Sequence, residues 1–119
     1  MSATMEHEQR NIFRLDLQDR LRKVDFDYCG ERLKSEIARC GTVRLLIVLR
    51  DFSGWDPTAP WADLSFYAQH GDAIERIAIV GPNRWRNHML MFAGADLRQA
   101  PVEYFLPGTI AEARAWLSS

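Results

Sequence analysis

Several things are scarce in this 119-residue chain, and each scarcity excludes something. No apolar run approaches the ~20 residues that a membrane-spanning helix needs, so no transmembrane segment is expected. The opening M-S-A-T-M-E-H-E-Q-R has no apolar core and does not read as a signal peptide, which makes a cytoplasmic location the default expectation. Charge of one sign is missing too: 15 basic residues stand against 16 acidic ones, for a net charge of −1. With no global field to draw a polyanion, neither nucleic acid nor an anionic membrane is expected as a partner. Arg84, Trp85, Arg86 and His88 come nearest to a basic-aromatic stripe, but Trp85 fits the inward face of a helix and its arginine neighbours are more simply solvated.

Cysteine and histidine are equally sparse. Cys29 and Cys40 are eleven positions apart. On one helix that is roughly 16 Å at ~1.5 Å per residue, too far for a disulfide, which leaves two small apolar side chains as the simplest reading. His7, His70 and His88 stand singly, with no ligand spacing, so no metal is expected. No G-x-S-x-G elbow is present, and the lone Ser53-Gly54 reads as a turn. Gly81-Pro82-Asn83-Arg84 is a strand-to-helix turn without the glycines and lysine of a phosphate loop, and an ordinary helix cap explains it. No cofactor and no catalytic residue follow from any of this.

What is present centres on Val43–Trp55, V-R-L-L-I-V-L-R-D-F-S-G-W. Leu45, Leu46, Ile47, Val48 and Leu49 are apolar without alternation, so both faces of the segment must be covered, as in the central strand of a parallel sheet. The polar, turn-forming Asp51–Pro57 follows. In the segment Ile12–Gln18, Phe13, Leu15 and Leu17 alternate with polar residues, which predicts a half-buried strand and the occupant of any free sheet edge. Residues 1–10 are read as a flexible start or an edge strand, and residues 11–119 as one domain.

A helix is predicted over about Val24–Arg39, with Cys29, Leu33, Ile37 and Cys40 as its inward stripe and Gly41 as its stop. A second helix is predicted from Thr58, with Pro60 in its first turn and Trp61, Leu64 and Ala68 inward. Arg76–Val80 and Val102–Leu106 read as short strands. Asn83 is a candidate cap for a helix carrying Trp85, Met89 and Phe92. Thr109 with Glu112 forms a capping-box pattern ahead of Ile110, Ala113 and Leu117. Strands alternating with helices give an α/β fold: a small domain with a mixed, mostly parallel sheet of four or five strands and about four helices.

The run L-L-I-V-L-R-D-F-S-G-W, then W-A-D-L-S-F, R-I-A-I-V-G with Trp85 just after it, V-E-Y-F and E-A-R-A-W-L resembles the SpoIIAA-like proteins of the STAS-like superfamily, whose fold is also compared with the lipid-binding Sec14 domain. The resemblance implies a non-catalytic regulatory or binding module. In the phosphorylation-switched relatives the modified serine lies in an Asp-Ser-Ser-Gly type turn; here the region reads D-P-T-A-P-W, leaving Ser53 and Thr58 as weak candidates.

Tryptophan is abundant, with four residues in the chain. Trp85 and Trp116 fall on helical core stripes. Trp55 and Trp61 flank the loop after the central strand, where α/β proteins meet their partners. The expected binding face is Asp51, Phe52, Gly54, Trp55, Asp56, Thr58, Trp61, Asn83, Arg84 and Trp85. Its expected occupants are a second copy of the chain or another protein, with a small apolar or lipid-like ligand as the alternative. Asp51, Asp56 and Asp63 are acid–base candidates if they gather near one strand end, and the simpler reading gives Asp51 and Asp56 to loop hydrogen bonds and Asp63 to a helix's first turn.

Overall fold

The computed structural model describes residues 2–59, 61, 73–94 and 100–119. Five strands form one sheet in the order β1 (Ala3–Gln9), β2 (Ile12–Leu21), β3 (Val43–Trp55), β4 (Ile74–Val80) and β5 (Val102–Phe105). β1 runs antiparallel to β2, and every other pairing is parallel. Three described helices accompany them: α1 (Lys23–Cys40), α2 (Arg86–Phe92) and α3 (Ile110–Ser118). The helix expected from Thr58 through Ala68 lies largely outside the described residues.

The central run behaves as its composition requires. Leu45 through Leu49 are each at most 9% exposed, in the middle strand of the five. Strand pleat sends alternate residues to opposite layers. Leu45, Ile47 and Leu49 join Phe13, Leu15, Leu17, Ile77 and Ile79 in the larger core, beneath Cys29, Leu33 and Ile37 of α1 and Met89 of α2. Leu46 and Val48 join Ala78 and Val80 in a smaller core closed by Ala113 and Leu117 of α3. Burying each large aliphatic side chain stabilises by about 1.5–3 kcal/mol, so both layers hold this strand in place.

On the α3 side, the sheet beyond the smaller core is polar and carries ion pairs among the described residues. Arg114 of α3 donates to Glu8 Oε1 at 2.9 Å, Arg14 donates to Asp16 at 2.7 Å, and Arg50 lies 3.8 Å from the same carboxylate. The carbonyls ending α3 are taken by arginines from the sheet: Arg44 donates to Leu117 O, and Arg76 to Trp116 O at 2.7 Å.

Several expectations need correction. The sheet edge is occupied by β1, and the alternating Ile12–Gln18 segment is the second strand. Of the two readings of residues 1–10, the edge strand is the one that forms over residues 3–9, and Ser2 clamps it to α1. Its backbone N–H and hydroxyl both donate to Asp25 Oδ2, at 2.9 and 2.7 Å, which holds the Asp25 carboxyl below its usual range. The exposed edge is partly covered as well, since Arg32 Nη1 donates to Met5 O at 3.1 Å. In α1, Cys29 is buried but Cys40 is exposed, and Phe26 takes the inward position one turn before Cys29. The stripe ends at Ile37 because Gly41, at φ 89°, turns the chain away just after it. Neither cap forms as expected: Asn83 lies inside a 3₁₀ turn, and Thr109 Oγ1 donates back to Leu106 O at 2.6 Å.

Candidate functional site

The site begins with a local break in β3. Gln18 pairs with Arg50, but Arg20 pairs with Gly54, so Asp51, Phe52 and Ser53 bulge out opposite Asp19. Asp19 and Asp51 both adopt positive φ, at 55° and 48°, a conformation that aspartate tolerates better than most side chains. β3 therefore continues to Trp55 where the sequence reads as a polar exit. The bulge re-aims the chain, as such irregularities do. Phe52 turns inward and is 2% exposed, while Asp51 and Ser53 face solvent.

The end of β4 supplies the opposing wall. Gly81 is required by space: a Cβ there would lie 2.6 Å from Leu49 Cδ1 and 2.8 Å from the Tyr104 hydroxyl, which donates to Pro82 O. The 3₁₀ turn Asn83–Trp85 then lays Trp85 across the bulge, where its Nε1 donates to Phe52 O at 3.1 Å. A Cβ on Gly54, whose φ is 110°, would sit 3.4 Å from the Trp85 ring. Trp85 meets Phe52 edge-on at 5.0 Å and Trp55 at 6.0 Å. Phe92 of α2 closes the group against Trp55 at 5.3 Å, Trp61 at 5.9 Å and Phe26 of α1 at 5.2 Å. Such aromatic pairs add about 0.5–1.5 kcal/mol each beyond burial. His88 lies exposed over the group, 5.5 Å from Trp85 and 6.5 Å from Trp55.

One atom in this group is unsatisfied. Trp61 Nε1 donates to Asp56 O at 2.7 Å and Trp85 Nε1 to Phe52 O, yet Trp55 Nε1 is buried without an acceptor among the described residues. Leaving a buried donor unpaired is unfavourable by about 1–3 kcal/mol.

The carboxylates serve the loop. Asp56 Oδ1 accepts from the Thr58 backbone N–H at 3.0 Å and from its hydroxyl at 2.8 Å, and these bonds hold Asp56 below the usual carboxylate range. Asp51 is exposed, and Asp63 lies outside the described residues, as does His70. Among the described residues, no three His, Cys, Asp or Glu side chains gather as metal ligands. Cys29 is a buried thiol whose pKa is pushed up to about 11 by desolvation.

The expected face thus divides. Phe52, Gly54, Trp55, Trp61 and Trp85 converge on one aromatic group, Asp56 and Thr58 form the turn beside it, and Asp51, Asn83 and Arg84 are exposed at its rim. Sequence reasoning missed Phe26 and His88. Phe26 falls on the α1 core stripe, and nothing in the sequence brings it to Phe92. A solvated histidine gives no hint of the rings beneath it.

The SpoIIAA-like family model matches residues 12–118. The chain is similar in structure to an uncharacterized protein with a SpoIIAA-like fold from Shewanella loihica PV-4, at a TM-score of 0.74 and 21% identity, over 97% of this chain and 91% of that one. Comparison with curated proteins gives no match. The family match spans nearly all of the sheet and its helices, and the chain therefore belongs to the SpoIIAA-like family.

Proposed function

We propose that this protein is a non-catalytic binding module that works in the cytoplasm through the tryptophan-rich end of β3 and β4, with a second copy of the chain as the occupant. The observation that carries the reading is the Trp55 indole N–H, a buried donor left without an acceptor where its two neighbouring indoles each have one. An orphan of this kind calls for an explanation, and a partner carbonyl or carboxylate is a direct one. His88 is exposed beside the group, its ring 6.5 Å from that of Trp55. Apolar surface stands nearby: Met91 of α2 is 83% exposed, and Val24 and Tyr28 of α1 are 62% and 56% exposed. The two helices lie on the same face of the sheet and meet through Phe26 and Phe92. The depressed Asp56 carboxyl is the opposite of what a general acid needs, which favours binding over catalysis.

Light scattering across a concentration series tests the reading. A mass rising toward two chains, and falling back to one in Trp55→Phe, supports it. A single-chain mass at every concentration removes it.

The alternative is a carrier of a small apolar or lipid-like ligand, which needs a cavity between the central sheet and the segment after Thr58. Residues 62–72 lie outside the described residues. A cavity lined by described residues lies at the other end of the sheet and has a mostly polar lining. Native mass spectrometry of the purified protein decides this: a co-bound apolar molecule favours the carrier.

A further inference from the structure

At the amino ends of β2 and β3, opposite the tryptophan-rich end, the turn between β1 and β2, the start of β3 and the last turn of α3 border an open pocket of about 410 Å³. This volume falls within the ≈300–1,000 Å³ typical of small-molecule sites. Gln9, Arg10, Asn11 and Arg44 line it, with Ile12 and Leu117 beneath.

Most of its polar groups are already committed. Asn11 Nδ2 donates to Thr42 O at 3.2 Å and to Glu75 Oε1 at 3.0 Å. Arg44 reaches Glu75 at 3.4 Å and the carbonyls of Leu117 and Ser119. Its charge is therefore matched, and the wall it forms is fixed. Gln9 Nε2 reaches Ser118 Oγ at 3.4 Å.

Arg10 is different. Among the described residues its guanidinium has no ion pair or hydrogen-bond partner. Its backbone is also unusual, with φ at 49° in a tight turn between β1 and β2. That conformation is unfavourable for a side-chain-bearing residue, and glycine or asparagine normally takes it. The turn is held there by His7, whose Nε2 is 2.5 Å from Arg10 O. Arg10 is exposed, so its guanidinium stands in solvent beside the pocket it lines, and the positive-φ backbone that presents it there is an outlier that points to function.

We propose that this cavity binds a small molecule through an oxyanion, phosphate or carboxylate, with Arg10 as the counter-charge. The planar guanidinium fork suits both groups, because each offers two acceptor oxygens. The committed Asn11 and Arg44 side chains shape the wall, and Arg10 supplies the free donors.

The test uses the full chain with inorganic phosphate and malonate as probes, at ionic strength held constant with chloride. In the wild type, melting temperature rises saturably with the anion, and amide resonances of Arg10, Asn11, Arg44 and Ser118 shift. Arg10→Gly separates binding from stability. It relieves the left-handed backbone, so the unliganded variant melts higher than wild type, while its anion affinity falls by about 10–100-fold, the equivalent of ~1.5–3 kcal/mol for a charge-assisted bond. Arg86→Gln, an exposed residue at the other end of the molecule, keeps the wild-type response. A response to phosphate alone identifies a phosphate-bearing ligand, to malonate alone a carboxylate, and to both a general oxyanion. Equal anion affinity in wild type and Arg10→Gly, or no saturable response to either probe, overturns the proposal.

Discussion

Replacing Gly81 by alanine tests how tightly β3 and β4 are locked where they deliver their loops. The added methyl would lie 2.6 Å from Leu49 Cδ1, 2.9 Å from Leu49 Cγ and 2.8 Å from the Tyr104 hydroxyl. None of these neighbours moves freely. Leu49 is 9% exposed in the larger core, and Tyr104 is tied to Pro82 O at 2.6 Å. Overpacking of this kind destabilises by about 1–3 kcal/mol. If Tyr104 also gives up its hydrogen bond, a further ~0.5–1.5 kcal/mol is lost. A total near 3 kcal/mol lowers the melting temperature by roughly 10 °C at this chain length. Urea unfolding of Gly81→Ala, Leu49→Ala and the double variant gives the coupling. Leu49→Ala alone leaves a void and loses about 2–5 kcal/mol, whereas in the alanine background part of that void is filled. The double variant is therefore more stable than the sum of the singles, by about 0.5–3 kcal/mol. Unchanged stability in Gly81→Ala, or strict additivity, would refute the packing argument.

Other consequences follow from single contacts. Trp55→Phe removes an unpaired N–H together with the five-membered half of the indole, so relief of the unsatisfied donor offsets the void and urea unfolding shows stability within about 1 kcal/mol of wild type, while Trp85→Phe also breaks the bond to Phe52 O and loses about 0.5–1.5 kcal/mol more. Asp25 has a carboxyl held low by Ser2, so its contribution is present above its ordinary pKa of about 4 and is lost as pH falls through the lower folded value. Ser2→Ala accordingly lowers stability at neutral pH and flattens the acid limb of a stability–pH curve. In a thiol-reagent assay at pH 8, exposed Cys40 reacts and buried Cys29, with its pKa near 11, reacts only after unfolding.

The architecture was legible where composition leaves one physical solution. Five consecutive large aliphatics at Leu45–Leu49 require cover on both faces, and the sheet provides it. Strand and helix periods likewise placed β2, α1, β4 and α3 close to where they lie. β1 was harder to read because its ordering comes from a distant contact, Ser2 on Asp25. Asp51–Trp55 looked like a loop because the bulge that keeps it in the sheet arises from pairing with β2. The aromatic group was legible in its tryptophans but not in its convergence, since the Trp85 bond to the Phe52 carbonyl joins backbone to side chain across 33 positions. The cavity beside Arg10 left no trace, as a left-handed arginine carries no sequence signal.

Amide hydrogen exchange tests the central assignment most directly, that β3 is held between two helical layers and so fixes the aromatic end of the sheet. The amides of Leu45–Leu49 and Ile77–Val80 are expected to exchange slowest of all, opening only with global unfolding. Exchange of Leu45–Leu49 as fast as that of the edge strand Ala3–Gln9 would contradict it.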